Sequence, residues 1–306
     1  MIKQKITGCI FTVILFIAVA LTWGTTWMAM KIALTGFTPV LATGLRFLIA
    51  SPILIVITKL CGQPLLFPSG QRWFQVILSV FYFAIPFSLM IYGEETVSSG
   101  VASLLFSIMP AAIVISSWVF LRQKINGVQS AGTLVVMAAL GVIIINESGT
   151  QEIESWKGVV AILLAVFCHS LVYVQCRKRC SGISVLTYNA LPCAGAALLL
   201  TVFGMVYEIH DNAEITFRAL AAVGYLGVVA GILGILAYFQ LQKRVSPFYA
   251  SLVYFVFPLV AITLEGMITG HAISELSAFM IIPFLLGIFM VLSTNRKTTK
   301  TIITDN

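Results

Sequence analysis

Three ionisable side chains stand inside runs of the chain that are otherwise apolar, and each has a chemistry to offer there. Glu265, in the run from Ala261, carries a carboxyl group that is costly in hydrocarbon unless protonated, paired or hydrated. Its readings are proton binding in exchange for a solute, the holding of a cationic group, or a place close enough to an interface to sit in water. Arg46 follows Pro39 by seven residues, which puts it about 10 Å inside a helix that opens at that proline. It is read as a partner for Glu265, as a receptor for an anionic solute, or as a brace through the carbonyls of neighbouring helices. His169, in Cys168-His169-Ser170, is of a type that can titrate near neutral pH or offer both a donor and an acceptor, as a hydrogen-bonded core residue or in proton transfer. Trp23, in Trp23-Gly24-Thr25-Thr26-Trp27, is placed to line a cavity, whereas Trp27 and Tyr173 are expected in the interfacial aromatic belt. Pro110 and Pro258 each remove a helix hydrogen bond and are hinge candidates. None of these forms a nucleophile with its base or a metal-ligand cluster, so no catalytic residue, metal or cofactor is expected.

The elements that must carry these residues follow from composition. The 306 residues are 59% hydrophobic and 9% charged, with a mean hydropathy of +1.03; a soluble domain carries about 25% charged residues. The chain is therefore an all-α membrane protein in contact with the lipid bilayer; a small-molecule substrate is an expectation of the repeat architecture below, not of composition. Its net charge of +7 is scattered in pairs and triplets without a basic face, which excludes nucleic acid as a partner. Apolar runs long enough to span lie at about 8 to 29, 39 to 58, 73 to 92, 97 to 120, 127 to 146, 157 to 176, 184 to 207, 217 to 241, 246 to 269 and 277 to 294. The start, with Lys3, Lys5 and Ala18-Val19-Ala20, imitates a cleaved secretory signal. It is read as the first span, because cleavage would leave two unequal halves.

Those halves are visible as a duplication. Val97 to Pro110 recurs at Val245 to Pro258, at an offset of 148 residues without a gap, with six of fourteen positions identical. Glu265 then corresponds to Ser117. The polar linker around Ser148-Gly149-Thr150 separates residues 1–148 from 155–296, five spans each, and an odd number turns the second repeat upside down. With the N-terminus inside, fourteen of the eighteen Lys and Arg fall on the cytoplasmic side, and the acids, from Glu94 to Glu275, gather outside. Gly224, Gly227, Gly231 and Gly234 form a small-residue stripe suited to close packing within the chain or between subunits.

Ten spans, Trp23-Gly24, Pro39 to Arg46-Phe47, and Ser99-Gly100-Val101-Ala102-Ser103-Leu104-Leu105 leading to Pro110 together resemble the drug/metabolite transporter superfamily, in its EamA-like branch. The resemblance covers essentially the whole chain. It implies two inverted five-helix repeats and the export or exchange of small metabolites without nucleotide hydrolysis. Two departures stand out: Gln123 and His271 occupy positions where members usually carry glutamate, and His169 stands where the sixth span often has tryptophan.

The function expected is secondary transport of an amino acid-like or amphipathic metabolite by alternating access, outward, across a bacterial inner membrane, by a monomer or homodimer with both termini cytoplasmic. The alternatives are an integral-membrane transferase built on His210-Asp211-Asn212 and Glu214, and a passive channel. The first needs acids and a histidine clustered at one face, and the second needs polar stripes through several spans.

Overall fold

The computed structural model describes residues 2–122, 125–147, 152–180, 182–208, 214–245, 247–270 and 273–293. Gln123, Lys124, Ser148, Gly149, Thr150, His210, Asp211, Asn212, Ser246, His271, Arg296, Lys297 and Lys300 lie outside the described residues. Among the described residues, ten helices are long and apolar enough to cross a membrane: α1 (Ile10–Ala33), α2 (Pro39–Leu60), α3 (Ser69–Gly93), α4 (Ser99–Leu121), α5 (Gly127–Glu147), α6 (Trp156–Cys176), α7 (Val185–Tyr207), α8 (Phe217–Arg244), α9 (Tyr249–Thr269) and α10 (Glu275–Leu292). No strand occurs among the described residues. Helices prevail because hydrocarbon offers no partner to a peptide group, so each span must satisfy its own backbone. Pro39 opens α2 where a missing N–H costs nothing, and left-handed residues close α4 at Arg122 (φ 53°) and α9 at Gly270 (φ 73°).

The duplication is legible in the helix starts. Ser69 of α3 and Phe217 of α8, Gly127 of α5 and Glu275 of α10, and Ser99 of α4 and Pro247, where the helical turn leading into α9 begins, are all related by the same 148-residue offset. Wide π turns recur as well, at Ser79–Ala84 in α3 and Leu226–Leu233 in α8. The prolines depart from the symmetry. α4 breaks at Ile108, just ahead of Pro110, while Val253–Thr269 runs unbroken through Pro258 and its break falls earlier, at Leu252.

Repeat-related helices pack against each other: α2 against α7, α5 against α10, α4 against α9. Glycines set how close they come. A Cβ on Gly132 would lie 2.7 Å from the carbonyl oxygen of Gly287, and one on Gly287 would lie 2.8 Å from that of Gly132, so α5 and α10 meet backbone to backbone. Gly44 and Gly204 bring α2 onto α7 in the same way. In the α8 stripe, Gly227 faces the Arg46 carbonyl and Gly234 faces Thr22 and Trp23, so both serve packing within the chain. Outward-facing positions such as Leu134, Ile145 and Leu198 remain exposed and apolar, as a lipid-facing surface requires.

Candidate functional site

The first turn of any helix leaves backbone N–H groups without intrahelical acceptors and carries a partial positive charge. Three helices here borrow a carboxylate from their repeat-related partner to answer both. Glu208, just past α7, accepts from the amides of Val40 and Leu41 at 2.9 Å each and from the Thr38 hydroxyl, at the start of α2. Glu265 of α9 accepts from Ser99 N at 3.0 Å and Gly100 N at 2.7 Å, at the start of α4. Glu147 of α5 accepts from Ser274 N at 3.1 Å and Ser274 Oγ at 2.7 Å, just ahead of α10. All three lie at the end where odd-numbered helices finish. At the other end, residues local to the helix do this work: Ser184 Oγ accepts from Leu186 N at 3.3 Å, and Asn126 and Gln129 exchange bonds of 2.9 and 3.2 Å. A symmetric fold thus carries an asymmetric set of clasps, and the position 148 residues before Glu265 is Ser117.

Beneath the clasp of α4 and α9 lies a second acid. Glu94 follows α3, is fully buried, and accepts from Ser99 Oγ at 2.9 Å through Oε2, while its Oε1 has no partner. Burial holds its carboxyl well above the usual range; Glu265 adds to the rise, and Lys31 and the Ser99 bond oppose it. Lys31 Nζ donates to the Glu94 carbonyl at 2.7 Å and the Val97 carbonyl at 3.3 Å. Sequence reasoning placed Glu94 among the acids gathered on the outer side. The available signal was the length of its loop, whose few residues between α3 and α4 leave no room to lift both Glu94 and Glu95 into water. A recess of about 440 Å³ opens at this end, lined by Lys31, Thr35, Thr216, Arg218 and Thr269 among others.

About two turns further in, the remaining predicted residues meet an aromatic layer. Arg46 is 3% exposed, its guanidinium carbon lies 4.9 Å from the Phe87 ring centre and 5.4 Å from that of Phe47, and its Nε has no partner. Glu265 is engaged with α4 rather than with Arg46. His169 is buried against the edges or faces of Tyr82, Phe87 and Phe106 at 5.2, 5.3 and 5.9 Å, and its Nδ1 is also unpartnered. Phe87 is therefore in contact with both Arg46 and His169. Trp23 heads a neighbouring group with Tyr238 at 4.8 Å, Tyr254 at 5.9 Å and Phe257 at 6.3 Å. Trp27, expected in the interfacial belt, is instead 2% exposed and packs on Phe106 at 5.6 Å. It lies one helical turn from Trp23, on the face of α1 that looks into the bundle. Phe87, Phe106, Tyr238 and Tyr254 went unremarked in the sequence because a span rich in aromatics gives no local sign of which ones converge.

The arrangement can stack an apolar or aromatic body, offer a guanidinium to an anion, and offer a ring nitrogen to a polar group. Among the described residues no three His, Cys, Asp or Glu are grouped to hold a metal ion.

Comparison with known proteins places this geometry. The EamA-like transporter family matches the chain twice, over residues 10–146 and 156–293. Protein PagO of Salmonella typhimurium is 47% identical over 279 residues, covering 91% of this chain and 92% of its own. An uncharacterized transporter of Buchnera aphidicola from Schizaphis graminum is 44% identical over 283 residues, covering 92% and 94%. The uncharacterized inner membrane transporter YedA of Escherichia coli K12 is 24% identical over 260 residues, covering 85% and 83%. A solved crystal structure, 19% identical, superimposes on 94% of this chain and 98% of its own with a TM-score of 0.66, a likeness of fold. With the family matched over both halves and relatives of this identity along nearly the full length, the chain belongs to the EamA-like transporter family of the drug/metabolite transporter superfamily, as a multi-pass membrane transporter.

Proposed function

We propose that the protein is a secondary transporter that carries a small amino acid-like or amphipathic metabolite outward across the inner membrane by alternating access, and is not an enzyme. The observation that carries this reading is the one-sided clasping. Among the described residues, repeat-related helix pairs are held by carboxylates at one end only, directly above a layer where two buried polar atoms, Arg46 Nε and His169 Nδ1, have no hydrogen-bond partner. A carrier closed on one side needs such an arrangement, with a firm gate over polar groups that wait for a ligand. In this reading the clasped end faces outward and both termini, with the basic loops, face the cytoplasm. The repeats span residues 1–148 and 155–296. Arg46 receives the solute's carboxylate or other anionic group, His169 and Trp23 bound its body, and Glu265 governs the gate. Pro110 and Pro258 lend the paired helices α4 and α9 their freedom to bend. The unit is a monomer or a homodimer.

The test is counterflow. Proteoliposomes of the purified chain, preloaded with each member of a panel of amino acids and amphipathic metabolites, are given the same compound in labelled form outside. Saturable accumulation of label for at least one compound is the expected result. Flux that rises linearly with concentration and shows no counterflow would make the protein a channel.

A further inference from the structure

Glu94 is the first residue of the turn that leads from α3 to α4, and nothing of it is exposed. A buried carboxyl needs partners for both oxygens. Glu94 has one, the Ser99 hydroxyl on Oε2 at 2.9 Å, and Oε1 has none. Ser99 gives its amide to Glu265 at 3.0 Å, so carboxyl groups from α9 and from the end of α3 converge on a single residue. Among the other charged groups, Lys31 offsets part of the pair's charge, and Arg218 of α8 lines the recess beside it. Lys31 of α1 spends its Nζ on the main-chain oxygens of Glu94 and Val97, and Glu95 is exposed. α6 brings Gly158 and Ile162 against Gly93, neither of them ionisable.

Two carboxylates that meet at one residue repel each other, and with a single lysine to offset them one proton relieves the rest of the charge. Glu265 has both oxygens engaged, by Ser99 N at 3.0 Å and Gly100 N at 2.7 Å, so neither is open to a proton. The proton belongs on the other acid, at the oxygen without a partner.

We propose that Glu94 and Glu265, bridged by Ser99, form a proton-binding site that holds one proton while the clasped end is shut and releases it when that end opens. Transport is thereby linked to protons; this rests on the alternating-access reading above. In the releasing step the O–H bond at Glu94 breaks, its electron pair stays on the carboxylate, and the proton passes to water in the recess lined by Lys31 and Thr269. Two anions then face Ser99. Glu265 draws away from the Ser99 and Gly100 amides, and α4 parts from α9. Binding of a proton reverses each step and closes the end again.

The experiment reads the gate without any solute. Ser103, one turn into α4 and fully buried, is changed to cysteine in a chain whose six native cysteines are replaced, and the full-length protein is purified in detergent. Its modification by a membrane-impermeant maleimide is timed against pH. The same thiol in a Glu94→Gln chain is the reference, so that the thiol's own ionisation cancels. The expected ratio climbs at least about tenfold between about pH 5.5 and about pH 8.5; a ratio constant within about twofold overturns the proposal. Glu265→Gln should leave the thiol reactive across the whole range, and protection equal to that of the parent overturns it too. The unsubstituted chain supplies a measurement that depends on no variant: its infrared spectrum at neutral pH should carry the band of a buried protonated carboxyl group, and absence of that band overturns the proposal. Neither readout uses flux. A chain that shows no counterflow yet passes these tests fails the transport reading and keeps the proton site, and the reverse result does the opposite.

Discussion

The guanidinium of Arg46 lies 4.9 Å from the ring centre of Phe87, and the ring of His169 meets the same phenylalanine at 5.3 Å, so one aromatic side chain touches both polar groups of the layer. A desolvated cation–π contact of this kind contributes about 2 kcal/mol. Replacing Phe87 by Leu removes the ring from both neighbours and should lower thermal stability in detergent by about 1–2 kcal/mol. An unchanged melting temperature would mean that the contact contributes little. Arg46→Lys keeps the charge and loses the planar fork that pairs with a carboxylate. Counterflow of carboxylate-bearing solutes should fall at least about tenfold in that variant, with much less effect on neutral ones.

His169 offers a contrast between stability and transport. Its Nδ1 is buried without a partner among aromatic rings. The ring also bonds the backbone at Tyr82 and Ala165, and removing one partner of a buried hydrogen bond costs about 1–3 kcal/mol. His169→Phe should therefore lower the melting temperature modestly and also change counterflow of the solute that the ring nitrogen holds. Loss of stability without an effect on transport would make the histidine structural.

The clasp at Glu208 is the one with the most donors, two amides and the Thr38 hydroxyl. Glu208→Ala strips the first turn of α2 of its acceptor and of the charge that opposes the helix dipole, at a cost of about 1–2 kcal/mol. Glu208→Gln retains one acceptor oxygen and should fall between the two. Thermal unfolding of the three chains side by side checks the order.

Glycine substitutions should separate backbone contact from open space. Gly132→Ala puts a methyl group 2.7 Å from the Gly287 carbonyl oxygen, and separating α5 from α10 to relieve it should cost about 1–3 kcal/mol. Gly141 lies in the same helix with nothing within 4 Å of its Cβ position. Gly141→Ala should be neutral or stabilise by about 0.5–1 kcal/mol through helix propensity. Equal effects at both sites would contradict the close approach.

Stability should also depend on pH through Glu94. Burial raises its carboxyl well above the usual range in the folded chain, whereas the unfolded chain titrates near about 4.3. The folded state therefore holds more protons between those two values, and the contribution is complete below the unfolded value and lost as pH rises toward and through the folded one. Glu94→Gln should flatten this alkaline decline in melting temperature, and a decline of equal slope in both chains would assign it to another group.

The sequence by itself determined the membrane class, ten spans, the duplication at 148 residues and the family. Each of these rests on local hydropathy or on a repeat that can be aligned, and the bilayer leaves a run of apolar residues no alternative to a helix. It also singled out Arg46, His169, Trp23 and Glu265 as residues in costly or unusual places. Tertiary structure alone decided what each of them touches. Trp27 went to the interior rather than to the belt, because an aromatic residue near a span end reads the same whether its helix presents it to lipid or to Phe106. The bond from Glu265 to Ser99 crosses 166 positions of chain, and the one from Glu208 to Val40 crosses 168. No composition or periodicity within a span carries the identity of a partner that distant. The clasps exist because the inverted halves bring the end of one helix beside the start of its mate, where free amides and a helix dipole meet the nearest carboxylate.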